Sequence, residues 1–231
     1  MRLCVIPARG GSKRIPRKNI KPFCGRPMIA YAIEAARSSD LFSHIVVSTD
    51  DDEIAVIASK FGAEVPFRRP AELADDFAST ADVIAHAIGN CHAEGWEFEM
   101  VCCIYPTVPL IEAGDLRKSL TLNELSNANF TFPVAEFPSA IQRALKRDQA
   151  GNLFPFQPDH ELTRTQDLEP AYFDAGQFYW GHREAWLSNA RIHSNSAGLV
   201  IPSFRVIDID TQEDWARAEI LYKALHPKNR S

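Results

Sequence analysis

RLCVIPARGGSKRIPRKN, residues 2–19, decides how the rest of the chain is read. Arg2 to Ile6 is a short apolar run of the kind that is buried on both faces of a parallel sheet. It breaks at Pro7 into a loop holding Gly10, Gly11, Arg9, Lys13, Arg14, Arg17 and Lys18, and the next apolar stretch, MIAYAIEAA (28–36), has helical spacing. Strand, glycine-rich loop and helix in that order open a wound α/β sheet. Ligands of such sheets bind beyond the carboxyl ends of the strands, so the loop is the first place to expect one.

Working outward, HIVVS (44–48) and MVCCIY (100–105) read as further buried strands, and a short strand is expected just before Arg68 and Arg69. DDEIAVIASKF (51–61), TADVIAHAI (80–88) and EAGDLRKSLTLNEL (112–125) read as helices, with residues 50–53 as an acidic first turn favoured by the helix dipole and given no chemistry. From about residue 129 the alternation changes. NFTFPVAEF, IQRALKRD, a Gly151-Asn152 turn and LFPFQPDH suggest extended segments and a hairpin, with Pro133, Pro138, Pro155 and Pro158 confining them to sheet edges or excursions. AYFDAGQFYW (171–180) reads as one strand, a short helix follows over 183–189, VIPSFRVIDID (200–210) returns as an extended segment, and Gln212 to Leu225 closes as a helix. The expectation is a single α/β domain over residues 1–231: a Rossmann-like wound, mostly parallel sheet with a β-rich arm inserted at about 134–172.

Composition excludes several classes. A chain of 231 residues that is 45% hydrophobic can bury a full core without disulfide or metal staples. No apolar run approaches the ~20 residues of a membrane span, and the apolar stretch at the start is too short for a signal peptide, so a cytoplasmic protein is expected. Five cysteines without C-x-x-C spacing indicate neither a disulfide framework nor a zinc knuckle, and Cys4, Cys102 and Cys103 read as core filler. His86 and His92 lack the pairing of zinc ligands. No G-x-S-x-G nucleophile motif is present.

The net charge of −5 conceals an asymmetry. Arg2, Arg9, Lys13, Arg14, Arg17, Lys18, Lys21 and Arg26 all precede the first acid, Glu34, so +8 at the start is followed by −13 over the remainder. A concentrated basic segment on an acidic body suits a small polyanion. Extended nucleic acid asks for a broader basic surface and interleaved stacking aromatics, which the segment lacks. Gly10 and Gly11 let backbone approach a phosphate, the loop N–H groups can form an anion nest, and Arg9, Lys13 and Lys18 can neutralise a triphosphate, with Ser12 and Asn19 adding polar contacts. The loop is neither a Walker A motif nor G-x-G-x-x-G, which disfavours dinucleotide hydride chemistry. At the far end Asp208 and Asp210 lie two apart in an extended segment and so on one face. That suits a hard cation such as Mg²⁺, and reads equally well as the approach to a helix cap in which Thr211 pairs with Asp214.

P-A-R-G-G-S-K-x-x-x-x-K-N resembles the nucleotide-binding signature of the CMP-sialic acid synthetase family of cytidylyltransferases. The similarity continues in order through Ser48-Thr49-Asp50, 69–74 (RPAELA), 105–110 (YPTVPL) and Asp208-Ile209-Asp210-Thr211. Within that family, IYPTVPL and DAGQFYW are most similar to the pseudaminic acid branch. The resemblance implies a nucleotide-diphospho-sugar transferase type of fold, a homodimer joined through the arm, and CMP transfer from CTP to the anomeric hydroxyl of a nonulosonic acid, with Mg²⁺ as cofactor and pyrophosphate released, for nucleotide-sugar and surface-glycan synthesis. It places Ala8, Arg9, Gly10, Gly11, Ser12, Lys13, Lys18, Asn19, Arg69, Ala78 and Thr80 at the nucleotide, Asp208 and Asp210 at the metal, and Arg9, Lys13 and Asp210 at the chemistry. Thr80 reads from the sequence alone as a helix cap. Tyr105 stands where sialic acid synthetases usually have glutamine, and with Thr107, Gln177 and Tyr179 it is assigned to the sugar. Arg164 is assigned to the sugar carboxylate as the arginine next to the family's position, which aligns with Thr165. CMP-N-acetylneuraminate or CMP-legionaminate synthesis, and a nucleotide-sugar glycosyltransferase sharing the D-x-D, stay open beside this reading.

Overall fold

The computed structural model describes residues 1–227. In chain order the elements are β1 (Arg2–Pro7), β2 (Pro22–Phe23), β3 (Arg26–Pro27), α1 (Ile29–Ser39), β4 (His44–Ser48), α2 (Asp52–Lys60), α3 (Thr80–Ala93), β5 (Met100–Ile104), α4 (Ala113–Leu125), β6 (Phe130–Glu136), β7 (Leu145–Arg147), β8 (Leu153–Pro155), β9 (Tyr172–Asp174), β10 (Phe178–His182), α5 (Arg183–Leu187), β11 (Ser196–Val200) and α6 (Gln212–Leu225). The main sheet has the order β11-β6-β10-β5-β1-β4, with β9 also on β6. Parallel pairing joins β1 to β4 and β5, and β11 to β6, while β10 runs antiparallel between β5 and β6. The sheet is mostly parallel, as expected.

Alternation along the strands builds three layers. Cys4, Ile6, Cys102, Ile104, Phe178 and Trp180 face α1, α2 and α4 on one side, and Leu3, Val5, Val101, Cys103 and Tyr179 face α3 and α5 on the other. All five cysteines are free, and Cys4, Cys102 and Cys103 are fully buried in these layers. The chain leaves β1 towards β4 and returns to the opposite side of β1 as β5. The connections diverge beyond the carboxyl ends of β1 and β5, and there a crevice opens.

Four expectations are corrected. No strand precedes Arg68; Glu64 makes only an isolated bridge with Val46. AYFDAGQFYW is two strands, broken where Gly176 turns to φ +61°, so that β9 and β10 both lie along β6. Pro133 is not at an edge: it sits inside β6, which has neighbours on both sides. Its carbonyl accepts from the Ala175 N–H, and amide and carbonyl of one strand residue point the same way, so the missing donor faces the break between β9 and β10. Finally, β11 ends at Val200, and residues 201–210 run on as a tight turn over Ser203–Arg205 and irregular backbone.

Between β6 and β9 the chain makes an excursion over residues 137–171, bearing the separate ribbon β7–β8 around a left-handed Gly151. Phe137, Ile141, Leu145, Leu153, Phe154, Phe156 and Leu162 are exposed on it. Among the described residues no helix is long and apolar enough to cross a membrane.

Candidate active site

The loop after β1 is held from beneath. Ala8 is buried and continues the ladder by donating to the Ser48 carbonyl. Gly10 donates its N–H to Asp50 Oδ1 at 2.9 Å, and a Cβ on Gly10 would come within 2.8 Å of Asp51 Oδ2. Glycine is therefore required at position 10 by the approach of the β4–α2 turn, whereas Gly11 borders open space. Asp51 caps α2 by accepting from the Ile54 N–H, and it also takes both terminal nitrogens of Arg17, whose second partner is Glu53. The Arg17 guanidinium pulls the Asp51 carboxyl down to about 2. The acidic helix turn thus anchors the basic loop, a role that an acidic first turn alone does not announce.

Two further contacts fold the loop back over the sheet. Asn19 is buried and donates through Nδ2 to the Arg9 carbonyl at 2.9 Å. Ile15 is fully buried in a cluster with Phe23, Met28, Tyr31, Leu110, Ile209, Trp215 and Tyr222. Ile209 lies between Asp208 and Asp210. One apolar cluster therefore joins the segment after β1 to the segment before α6 and sets the loop beside the acidic pair, and Ile15 has no signal in the sequence because a lone isoleucine among bases carries no period.

The result is a cavity of about 540 Å³ at the carboxyl ends of β1 and β5, lined by Pro7, Arg9, Ser12, Lys13, Arg14, Lys18, Asn19, Asp76, Tyr105, Pro106, Thr107 and Asp210. Its bases are divided between two carboxylates. Arg9 and Lys13 both pair with Asp76, Arg9 at 2.8 Å, and Arg9 also donates to the Asp75 carbonyl. Arg14 and Lys18 pair with Asp210 at 2.6 and 3.4 Å. Hydrogen bonds from Lys13 and Arg9 hold the Asp76 carboxyl below its ordinary range. A polyphosphate entering between these groups must take the bases over from Asp76, a residue to which the sequence reading gave no role.

The acidic end is prepared by its own supports. Arg205, 7% exposed, pairs with buried Asp115 at 2.5 Å and with Glu112 at 3.0 Å, and its carbonyl accepts from Gln177 Nε2. This fixes the start of the segment carrying Asp208 and Asp210. Its other end runs into the capping box of α6, where the Thr211 hydroxyl accepts from the Asp214 N–H and the Asp214 carboxylate accepts from the Thr211 N–H. Burial, then the Asp210 charge, push the Asp208 carboxyl up, with Lys18 and Arg14 pulling the other way. Two crowded carboxylates with only oxygen donors suit Mg²⁺. No group of three or more His, Cys, Asp or Glu side chains that could hold a metal occurs among the described residues, so these two carboxylates would hold the ion together with oxygens from outside the chain.

Several assigned residues lie behind the cavity wall. Arg69 is buried, donating to the Ser48 carbonyl and hydroxyl and to the Leu73 carbonyl; burial lowers it to about 10. It braces the 70–78 loop that presents Asp76. The Ala78 N–H donates to Asp75 Oδ1 within that loop. Thr80 is not the cap of α3; Ser79 is, accepting from the Asp82 N–H, and Thr80 instead bonds the Tyr105 hydroxyl at 2.9 Å. Gln177 and Tyr179 are buried, with Gln177 Oε1 lacking a partner among the described residues. Arg164 sits on the exposed excursion, paired with Asp167 three residues on. Asp208 flanks the cavity without lining it.

Residues 3–224 match the family model described as cytidylyltransferase. The chain is 44% identical over 225 residues to a pseudaminic acid cytidylyltransferase of Campylobacter jejuni, covering 97% of each chain, and 31% identical to a CMP-N,N'-diacetyllegionaminic acid synthase of Legionella pneumophila, covering 95% of each. Among solved structures its fold is similar to a CMP:2-keto-3-deoxy-manno-octonic acid synthetase complexed with CTP, with a TM-score of 0.72 at 17% identity over 97% of this chain and 99% of that one. With a basic loop, a carboxylate pair and a cavity between them at the divergence of β1 and β5, and with these matches spanning nearly its whole length, the chain belongs to the cytidylyltransferase family.

Proposed function

We propose that the protein transfers CMP from CTP to the anomeric hydroxyl of a nonulosonic acid, pseudaminic acid before others, releasing pyrophosphate and supplying a CMP-sugar for surface-glycan synthesis. One observation carries the reading: Arg9 and Lys13, paired with Asp76, and Arg14 and Lys18, paired with Asp210, line a cavity whose wall also takes in the uncharged Tyr105-Pro106-Thr107. Arg9, Ser12 and Lys13 hold the triphosphate, displacing Asp76, and Lys18 and Asn19 complete the nucleotide side. Ala8, Gly10, Gly11, Arg69, Ala78 and Thr80 act there by shaping the two loops. The sugar oxygen attacks the α-phosphorus, the bond to the bridging oxygen breaks, pyrophosphate leaves with the electron pair, and the hydroxyl proton passes to solvent. Preorganised donors on Arg9 and Lys13 stabilise the charge developing on the leaving group. Asp208 and Asp210 would hold Mg²⁺, which when bound supplies Lewis-acid charge to phosphate and hydroxyl oxygens.

Tyr105 and Thr107 provide the sugar side, with Gln177 and Tyr179 behind them. The exposed apolar residues of 137–171 support a homodimer, in which the arm, with Arg164, covers the sugar side of the other subunit. The deciding measurement is pyrophosphate release from CTP and Mg²⁺ with pseudaminic, legionaminic and N-acetylneuraminic acids in turn. Pseudaminic acid should give the highest kcat/KM, and no release with any of them would overturn the reading. Asp210→Ala should abolish turnover with an unchanged circular dichroism spectrum; wild-type turnover in that variant removes the acidic pair from the chemistry. A fully active monomer in sedimentation would remove the arm.

A further inference from the structure

Of the four bases that line the cavity, Arg9, Lys13 and Lys18 have a part in the proposed reaction and Arg14 has none. Its position is nonetheless set from both sides. Lys13 before it pairs with Asp76, and Ile15 after it is fully buried in the cluster that also holds Ile209, the neighbour of Asp210. Arg14 is thereby brought against the acidic pair, and its Nη1 donates to Asp210 Oδ2 at 2.6 Å. Lys18 Nζ lies 3.4 Å from the other oxygen, Oδ1. Both oxygens of Asp210 are engaged by bases, so a cation held by Asp210 has to compete with them.

The two bases are not equally able to give way. The Lys18 side chain is 16% exposed, and its backbone N–H is tied to the Ile15 carbonyl. The Arg14 side chain makes the shorter contact but is 71% exposed, and an exposed ion pair is a weak one, screened by water and costly in side-chain freedom. A guanidinium matches phosphate oxygens as well as it matches a carboxylate. With Asp208 and Asp210 given to a divalent cation, Arg14 loses its partner and is repelled; with a triphosphate in the cavity, it gains another. Both changes move it the same way.

We infer that Arg14 is a residue with two partners: it holds Asp210 against the loop until the carboxylates take their cation, and it then becomes a further ligand of the triphosphate beside Lys13. This rests on the proposed reading, in which the acidic pair takes a divalent cation and the bases take CTP. Arg14 thus opposes the cation before nucleotide binds and supports the nucleotide once the cation is in place, two effects of opposite sign from one side chain.

The test reads the two effects separately and neither through turnover. Mn²⁺ binding to the nucleotide-free protein is followed by the electron paramagnetic resonance signal of the free ion, and CTP binding at saturating Mg²⁺, without sugar, by calorimetry. Arg14→Gln should tighten Mn²⁺ binding about threefold to fivefold, the size of one exposed ion pair, and weaken CTP binding about tenfold, the size of one hydrogen bond to a charged group. Lys13→Gln removes the same charge from a side chain paired with Asp76, and should leave the Mn²⁺ affinity within about twofold of wild type. An unchanged or weaker Mn²⁺ affinity in Arg14→Gln, no binding by either protein included, would overturn the proposal. So would an equal gain in Lys13→Gln or an unchanged CTP affinity in Arg14→Gln, while pyrophosphate release with a nonulosonic acid still upholds the reading beneath it. Mn²⁺ binding that survives Asp210→Ala in full overturns the reading of the acidic pair and the proposal together.

Discussion

The glycine-rich loop and the 137–171 excursion are both irregular backbone, and the protein holds them in opposite ways. The loop is tied at Gly10 and Arg17 to the turn that opens α2, at Ile15 to an apolar cluster that includes Ile209, and through Asn19 back onto its own Arg9 carbonyl, so its bases are placed before any ligand arrives. The excursion makes most of its contacts within itself: the β7–β8 ribbon, Arg164 with Asp167, and Gln142 donating to the Glu169 carbonyl. Its apolar side chains face outward. Polar chemistry at a phosphate needs prior organisation, whereas an apolar surface needs only a cover.

The largest effect of a substitution is expected where the supports of the site are most buried. Arg205→Ala leaves Asp115 as an uncompensated buried charge and should cost about 3–5 kcal/mol in denaturant unfolding. A loss below about 1 kcal/mol would mean that the acidic segment is held otherwise. Lys13→Ala, on the preorganised side, should lower kcat/KM on the order of 10²-fold with stability unchanged, as for the loss of one charge-stabilising donor. Asp76→Asn should tighten CTP binding a few-fold in calorimetry, since the bases no longer have to leave a carboxylate; weaker binding would make Asp76 a ligand contact instead.

The Arg17–Asp51 tie gives a pH dependence of known sign. The folded Asp51 carboxyl is held at about 2, below its ordinary value, so its contribution is complete above about pH 4 and is lost as pH falls through 4 towards 2. With Arg17 partly exposed the screened contribution is on the order of 1 kcal/mol. Asp51→Asn, which keeps the helix cap, should unfold at the same acid pH as wild type but with lower stability near neutrality. The smallest effect belongs to the arm: Phe156→Asp should leave the unfolding free energy of the isolated chain within about 0.5 kcal/mol while shifting any self-association seen by sedimentation.

Much of this was legible in residues alone. The strands of β1, β4 and β5, the helices, the capping pair Thr211 and Asp214, and the basic loop all come from local patterns: an apolar run, a 3.6-residue period, a hydroxyl three residues before an acid. The misreadings share one cause. Pro133 reads as an edge residue unless it is known that β9 and β10 part beside it, and DAGQFYW reads as one strand unless β6 is seen to span both. Thr80 reads as a cap because nothing nearby reveals Tyr105 across the crevice.

The run of bases around a glycine pair and the two carboxylates at Asp208 and Asp210 can be read from the chain alone, because both are matters of side-chain type and short spacing. It takes the tertiary structure to show that Asp76 occupies Arg9 and Lys13, that Asp50 and Asp51 hold the loop, and that one apolar cluster brings Ile15 and Ile209 together. Those facts depend on pairs up to about 200 residues apart, and no local pattern encodes a partner at that distance.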